Sequence, residues 1–221
     1  MERSLREGER NYYLSREHAL DFDRRSASSR SLERHRAVAR KIAGFMAGGE
    51  LLDIGCGSAR MLLVIAEALP AVQITGLDVS GEMLSIAREN VRRAGLGGRI
   101  SLRRKSAEEL RDFPAESFDF VQSHGAFSGW LKPEGSLREI HRILRPGGIL
   151  YLRDWDRSAP EDALGPYLES ASPEQARRVR MAYESSYTFE EFGTLLRDSP
   201  LALMELGVEG LWMEAVLRAE K

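Results

Sequence analysis

The chain has 221 residues, 43% of them hydrophobic and 30% charged, with a formal net charge of −2. That length suits one domain with a full core, and the near-neutral charge excludes a general electrostatic pull toward nucleic acid. No apolar run nears the ~18 residues of a bilayer span. The charged first ten residues lack the core of a signal peptide, and the single cysteine, Cys56, excludes an internal disulfide. Together these predict a cytoplasmic protein with no metal site, since the four histidines show no ligand-like spacing.

Residues 1–30 have no clear period and hold Tyr12, Tyr13, His18, Phe22 and Asp23, so they are expected to form a short helix or a flap over a ligand, with Tyr12 or Tyr13 capping it. A helix is predicted from Ser31 to Met46, with Leu32, Val38, Ile42 and Phe45 inward at helical spacing and Gly48-Gly49 ending it. Residues 24–41 carry seven Arg or Lys against one acid, Glu33. Lacking interleaved aromatics, this stretch reads as a solvated helix face; the alternative is an anion-binding arm for phosphate, RNA or acidic lipid.

Next comes Leu51-Leu52-Asp53-Ile54-Gly55-Cys56-Gly57-Ser58-Ala59, a buried strand breaking into a tight turn and then a helix over 58–69. Glycines there accept positive φ and let a ligand approach the backbone, while the helix start aims free N–H groups at it. This is the pattern of a nucleotide-like cofactor site. A second strand ends at Asp78, 21 residues past Gly57, where one carboxylate can accept both hydroxyls of a ribose. The dinucleotide fingerprint Gly-x-Gly-x-x-Gly fails at Arg60, which disfavours a nicotinamide dehydrogenase. A helix over 81–94, strands over 100–104 and 118–123, a helix over 134–144 and a strand over 149–153 follow. Their alternation predicts a doubly wound, mostly parallel α/β sheet. A helix over 174–183, a capping box at Thr188 and two strands, 203–208 and 211–217, joined at Glu209-Gly210, close the chain in an antiparallel β-hairpin.

The ordered set of Gly-x-Gly-x-Ala, Asp78 with Ser80-Gly81-Glu82-Met83, Ser106-Ala107-Glu108 with Phe113-Pro114, and Arg142-Ile143-Leu144-Arg145-Pro146-Gly147-Gly148 resembles the class I S-adenosylmethionine-dependent methyltransferases. It is most similar to the branch with ubiquinone and menaquinone biosynthesis enzymes and other small-molecule methyltransferases. The resemblance implies a seven-stranded Rossmann-like sheet, a helical arm at 1–46, and a cofactor-binding domain at 47–221 with a helical lid at about 156–187. Gly55, Cys56 and Gly57 would then form the turn beside the methionine and ribose, and Asp53 would order it and meet the cofactor's ammonium group. Cys56 is expected as a small buried side chain with no reactivity of its own. Asp78 would hold the ribose, Val79 would lie beside the adenine, and Ser106, Ala107 and Glu108 would form the adenine edge. The family usually has an acid where Ser106 stands, so Glu108 is a candidate substitute acceptor. Ser123 would sit near the methionine moiety.

For the acceptor, His124 is the candidate general base; a loop histidine orienting the backbone is the equal alternative. Asp154, Trp155 and Asp156, with Trp130, would flank the mouth, the aromatics pointing to a flat or apolar small molecule. No Asn-Pro-Pro-Tyr or Asp-Pro-Pro-Tyr block follows the fourth strand, which argues against DNA N-methylation. A cofactor-binding protein without transferase activity, or an RNA methyltransferase using the basic arm, are the other readings. Oligomeric state is not legible.

Overall fold

Side-chain alternation places the central strands. The computed structural model describes residues 15–169 and 171–221. In β1 (Gly48–Ile54), Leu51 and Leu52 point to opposite faces, and both are fully buried. β4 (Phe118–His124) repeats this with Phe120 and Val121, and β5 (Leu144–Trp155) with Ile149 and Leu150. Strands apolar on both faces must be covered on both. One face carries α2 (Ser29–Ala43), α3 (Arg60–Ala68) and α4 (Gly81–Arg93), which pack on Leu51, Phe120 and Ile149. The other carries α5 (Pro133–Ile143) and α8 (Phe189–Arg197), which pack on Leu52, Val121 and Leu150.

With β2 (Ala71–Asp78), β3 (Ile100–Arg104), β6 (Ala202–Glu209) and β7 (Trp212–Arg218), the seven strands order as β3-β2-β1-β4-β5-β7-β6. The first five are parallel; β7 runs antiparallel between β5 and β6. The sheet is therefore mostly parallel, seven-stranded and doubly wound, as expected. The strand order reverses between β1 and β4, and a crevice opens at their carboxyl ends.

Several boundaries differ from expectation. The α2 helix ends at Ala43 on a Gly44 C-cap, and Gly48-Gly49, expected to end it, instead open β1. The α3 helix starts at Arg60, two residues late, because Ala59 is left-handed at φ +64° and prolongs the turn. The β5 strand extends to twelve residues: a bulge lets Leu144 pair Phe118, and β7 holds the far end through Trp155 opposite Trp212. The N-terminal segment yields α1 (Arg16–Ser26), capped by Ser15, and α2 begins at Ser29 on a Ser28 cap. Tyr12 and Tyr13 lie outside the described residues. The segment expected as a lid holds a short turn over Glu161–Leu164, α6 (Gly165–Leu168) and α7 (Pro173–Ser185). Among the described residues no helix is long and apolar enough to cross a membrane.

The capping box at Thr188 forms as predicted: its hydroxyl accepts from Glu191 N, and the Glu191 carboxylate accepts from Thr188 N. Thr188→Ala is expected to cost about 1 kcal/mol. A urea titration would read this as a lower midpoint at unchanged slope.

Candidate active site

The turn after β1 is built by backbone. Gly55 N and Cys56 N both donate to the Leu77 carbonyl at 2.8 Å, which draws the turn across the end of β2. Gly55 stands at φ +89° and Gly57 at +53°, and a Cβ on Gly55 would overlap that of Ala126. Asp78 ties the turn to the next helix: Oδ2 accepts from Gly57 N and Oδ1 from Ser80 N, each at 2.8 Å. The first turn of α3 has no side-chain cap.

Above this turn lies a cavity of about 670 Å³. Gly55, Gly57, Asp78, Val79, Ser106, Ala107, Glu108 and His124, all singled out from sequence, line it. Asp53, Cys56 and Ser123 stand behind its wall instead. Cys56 is buried against the position a Gly76 Cβ would take, and Ser123 donates to the Ile54 carbonyl at 2.8 Å. Burial and the charge of Asp78 push the Asp53 carboxyl up to about 7. Glu108 is partly committed, since its Oε1 accepts from Leu131 N at 2.7 Å and so anchors the loop before α5.

The N-terminal arm is latched over the turn. Asp23 accepts two hydrogen bonds from the Arg60 guanidinium at 2.8 Å and a third from Asn90 at 2.9 Å. These contacts hold its carboxyl below the usual range against the cost of burial. Phe22 is thereby placed 3.0 Å from where a Gly57 Cβ would be. The residue that breaks the dinucleotide fingerprint thus fastens the arm.

The far end of the cavity is aromatic and basic. His124 pairs with Arg153 in the β4–β5 register, and its ring lies 5.0 Å from that of Trp212 and 6.5 Å from that of His35. Burial, then Arg153, His35 and Arg34, hold His124 well below the usual histidine range, and burial brings His35 down to about 4. Both imidazoles are therefore neutral at pH 7, and the Nδ1 of each is buried with no hydrogen-bond partner. Asp154 and Trp155 line the cavity as expected. Asp154 accepts from Ser128 N and Trp155 N, and burial raises it to about 6. Asp156 does not line the cavity: it accepts from Ser158 N and Phe189 N, tying the end of β5 to the start of α8. Trp130 lines the wall and also packs on Phe127.

Sequence reasoning did not single out Arg34, His35, Tyr167, Arg178 or Trp212, all of which line the cavity. The only signal was the basic run 24–41, read there as a solvated face. Arg24, Arg36 and Arg40 do face solvent, but Arg25, Arg30 and Arg34 turn to the cavity. No group of three or more His, Cys, Asp or Glu among the described residues is placed to hold a metal.

The family described as Methyltransferase domain matches residues 52–152. The ubiquinone/menaquinone biosynthesis C-methyltransferase UbiE of Geotalea daltonii is 30% identical over 134 residues, 60% of this chain and 56% of that protein. The demethylmenaquinone methyltransferase of Listeria welshimeri is 37% identical over 111 residues, 50% of this chain and 46% of its own length. The chain thus spans about half the length of these curated relatives. Among solved structures, the plantazolicin methyltransferase BamL, in complex with a triazolic desmethylPZN analog and SAH, superposes with a TM-score of 0.80 at 17% identity, over 99% of this chain and 97% of its own. A SAM dependent methyltransferase from Aquifex aeolicus gives 0.65 at 19%, over 81% and 88%.

Proposed function

We propose, because this chain belongs through residues 52–152 to the class I S-adenosylmethionine-dependent methyltransferase family, that it transfers a methyl group from S-adenosylmethionine to a small-molecule acceptor. The carrying observation is the open backbone turn at Gly55–Ala59 beneath a cavity whose rim holds Asp78. The residues fit the cofactor. Asp78 accepts from Gly57 and Ser80 and lines the cavity at the end of β2, where a carboxylate can accept from a ribose diol. Val79, Ser106 and Ala107 form a wall beside it for the adenine. Asp53, buried without a cation, suits a positively charged ligand across the turn.

When bound, S-adenosylmethionine supplies a methyl group on a sulfonium centre. The protein's part is to align and dry the site; the latched arm and the lid at 156–187 cover it. Alignment alone can lower a barrier by about 7–11 kcal/mol. A base is needed only if the acceptor must lose a proton. His124 is placed for that role, but its depressed basicity restricts it to acceptors that are themselves acidic. The relatives named for quinones and for plantazolicin support a small acceptor. The inward turn of Arg25, Arg30 and Arg34 weighs against a basic face for RNA. The buried thiol of Cys56 suits a reducing cytoplasm.

Calorimetric titration with S-adenosylmethionine in two buffers of different ionisation enthalpy tests this. Below pH 7 the free protein holds a proton on Asp53, and a cationic ligand favours the ionised form. Binding near neutral pH is therefore expected to release a proton, with affinity rising as pH climbs toward about 7 and then levelling. Asp53→Asn should remove that release. Absence of binding would reject the cofactor; binding with no proton release would reject the part given to Asp53.

A further inference from the structure

We infer that the methyl acceptor carries an acidic group, a carboxylate or a phosphate, which Arg34 and Arg30, lining both the cavity and its outer vestibule, grip with Arg153 on the vestibule side. This rests on the methyl-transfer reading and adds the class of acceptor. The Arg34 guanidinium lies 5.6 Å from the ring centroid of Tyr167 and 5.3 Å from that of Trp212, and Arg153 lies 4.8 Å from Trp212 on the same side chain. Two guanidinium groups thus share one indole. Like charges brought together in a partly dry site repel unless an anion joins them.

The protein supplies little of that anion. Among the described residues Arg34 and Arg30 make no ion pair; Arg30 donates to the Pro166 carbonyl at 3.0 Å. Arg153 has only Glu214, at 3.9 Å, and its Nε is buried without a hydrogen bond. Glu214 is already committed to Lys41 at 2.6 Å and to the Tyr151 hydroxyl at 2.8 Å. A vestibule of about 590 Å³ opens outward from Arg30, Arg34 and Arg153, and its acids, Asp162 and Glu209, are exposed. Asp154, on the inner side, is turned into backbone N–H groups.

Position makes this an acceptor site. The loop after β4 joins the two ends: a Cβ on Gly55 would meet Ala126, one on Gly125 would lie 3.9 Å from Trp212, and Arg34 lies over that indole. Arg34, His124, Gly55 and Gly57 line one cavity, so an acid held at Arg34 shares it with the turn. The planar fork of arginine favours bidentate pairing with carboxylate or phosphate, and Trp212 and Tyr167 stiffen it for that purpose.

The test titrates the protein, saturated with S-adenosylhomocysteine, with benzoate, phenyl phosphate, neutral benzamide and inorganic phosphate. Benzoate or phenyl phosphate is expected to bind at least about tenfold more tightly than benzamide, and the stronger of the two identifies the acid. Arg34→Gln should weaken that binding by about tenfold or more, with S-adenosylhomocysteine affinity unchanged. Arg30→Gln, at an exposed position that folding tolerates, should weaken it in the same direction. Equal binding of benzamide, binding of neither aromatic acid, phosphate binding alone, or indifference of both variants would each overturn the inference. Failure of S-adenosylhomocysteine to bind at the outset would instead overturn the methyl-transfer reading, and the acceptor with it.

Discussion

Asp78→Ala is expected to abolish measurable binding of S-adenosylhomocysteine, raising Kd by roughly 100-fold or more. The carboxylate has two tasks. It holds Gly57 N and Ser80 N at 2.8 Å, fixing the turn to the start of α4, and it lines the cavity where the ribose hydroxyls would lie. A hydrogen bond to a charged group contributes about 1.5–3 kcal/mol; losing two removes roughly 3–6 kcal/mol, and the freed turn adds to the loss. Asp78→Asn keeps a single acceptor oxygen and should bind with intermediate affinity. Titration calorimetry gives Kd, and thermal unfolding of the free variants separates lost contacts from lost fold. Unchanged affinity in Asp78→Ala would place the ribose elsewhere and remove the assignment of this cavity to the cofactor.

Gly55→Ala should be as damaging to binding and worse for the fold. At φ +89° a side chain strains the backbone, which costs about 1–3 kcal/mol. The added Cβ also meets Ala126, which can yield only by shifting the 125–129 loop that forms the cavity wall. In a chain of this size the strain alone lowers Tm by roughly 3–10 °C. Gly98→Ala is the control: nothing lies within 4 Å of its Cβ and its φ is not in the left-handed range, so a change within about 0.5 kcal/mol is expected. Equal melting of the two variants would show that the turn relaxes freely, contrary to the tight packing around it.

Much of the cofactor end was legible because local rules act there. A turn that needs positive φ asks for glycine, and the acid that ties it down recurs at one βα unit's distance. Gly55, Gly57, Asp78, Val79, Ser106 and Ala107 therefore all line one cavity. Ser123 and Asp156 do not line it. Each lies at the right strand end, but the side-chain direction there depends on the neighbouring chain: Ser123 found the Ile54 carbonyl, and Asp156 the N–H groups of Ser158 and Phe189.

From the sequence alone came the alternation of strands and helices, the glycine turn, the hairpin tail and the family resemblance, since each is encoded within a few tens of consecutive residues. The acceptor end was decided only by the tertiary structure. Arg34 sits on α2, Tyr167 on the lid, and Trp212 on β7, where antiparallel pairing sets it against Trp155. Nothing in the local spacing of any of them refers to the others. The basic run on α2 has an ordinary helical period, and a helix carries its charges to water or to a cavity according to what packs beside it. Here the neighbours are two aromatic rings and a third arginine, and that packing turns a solvated face into part of a binding site.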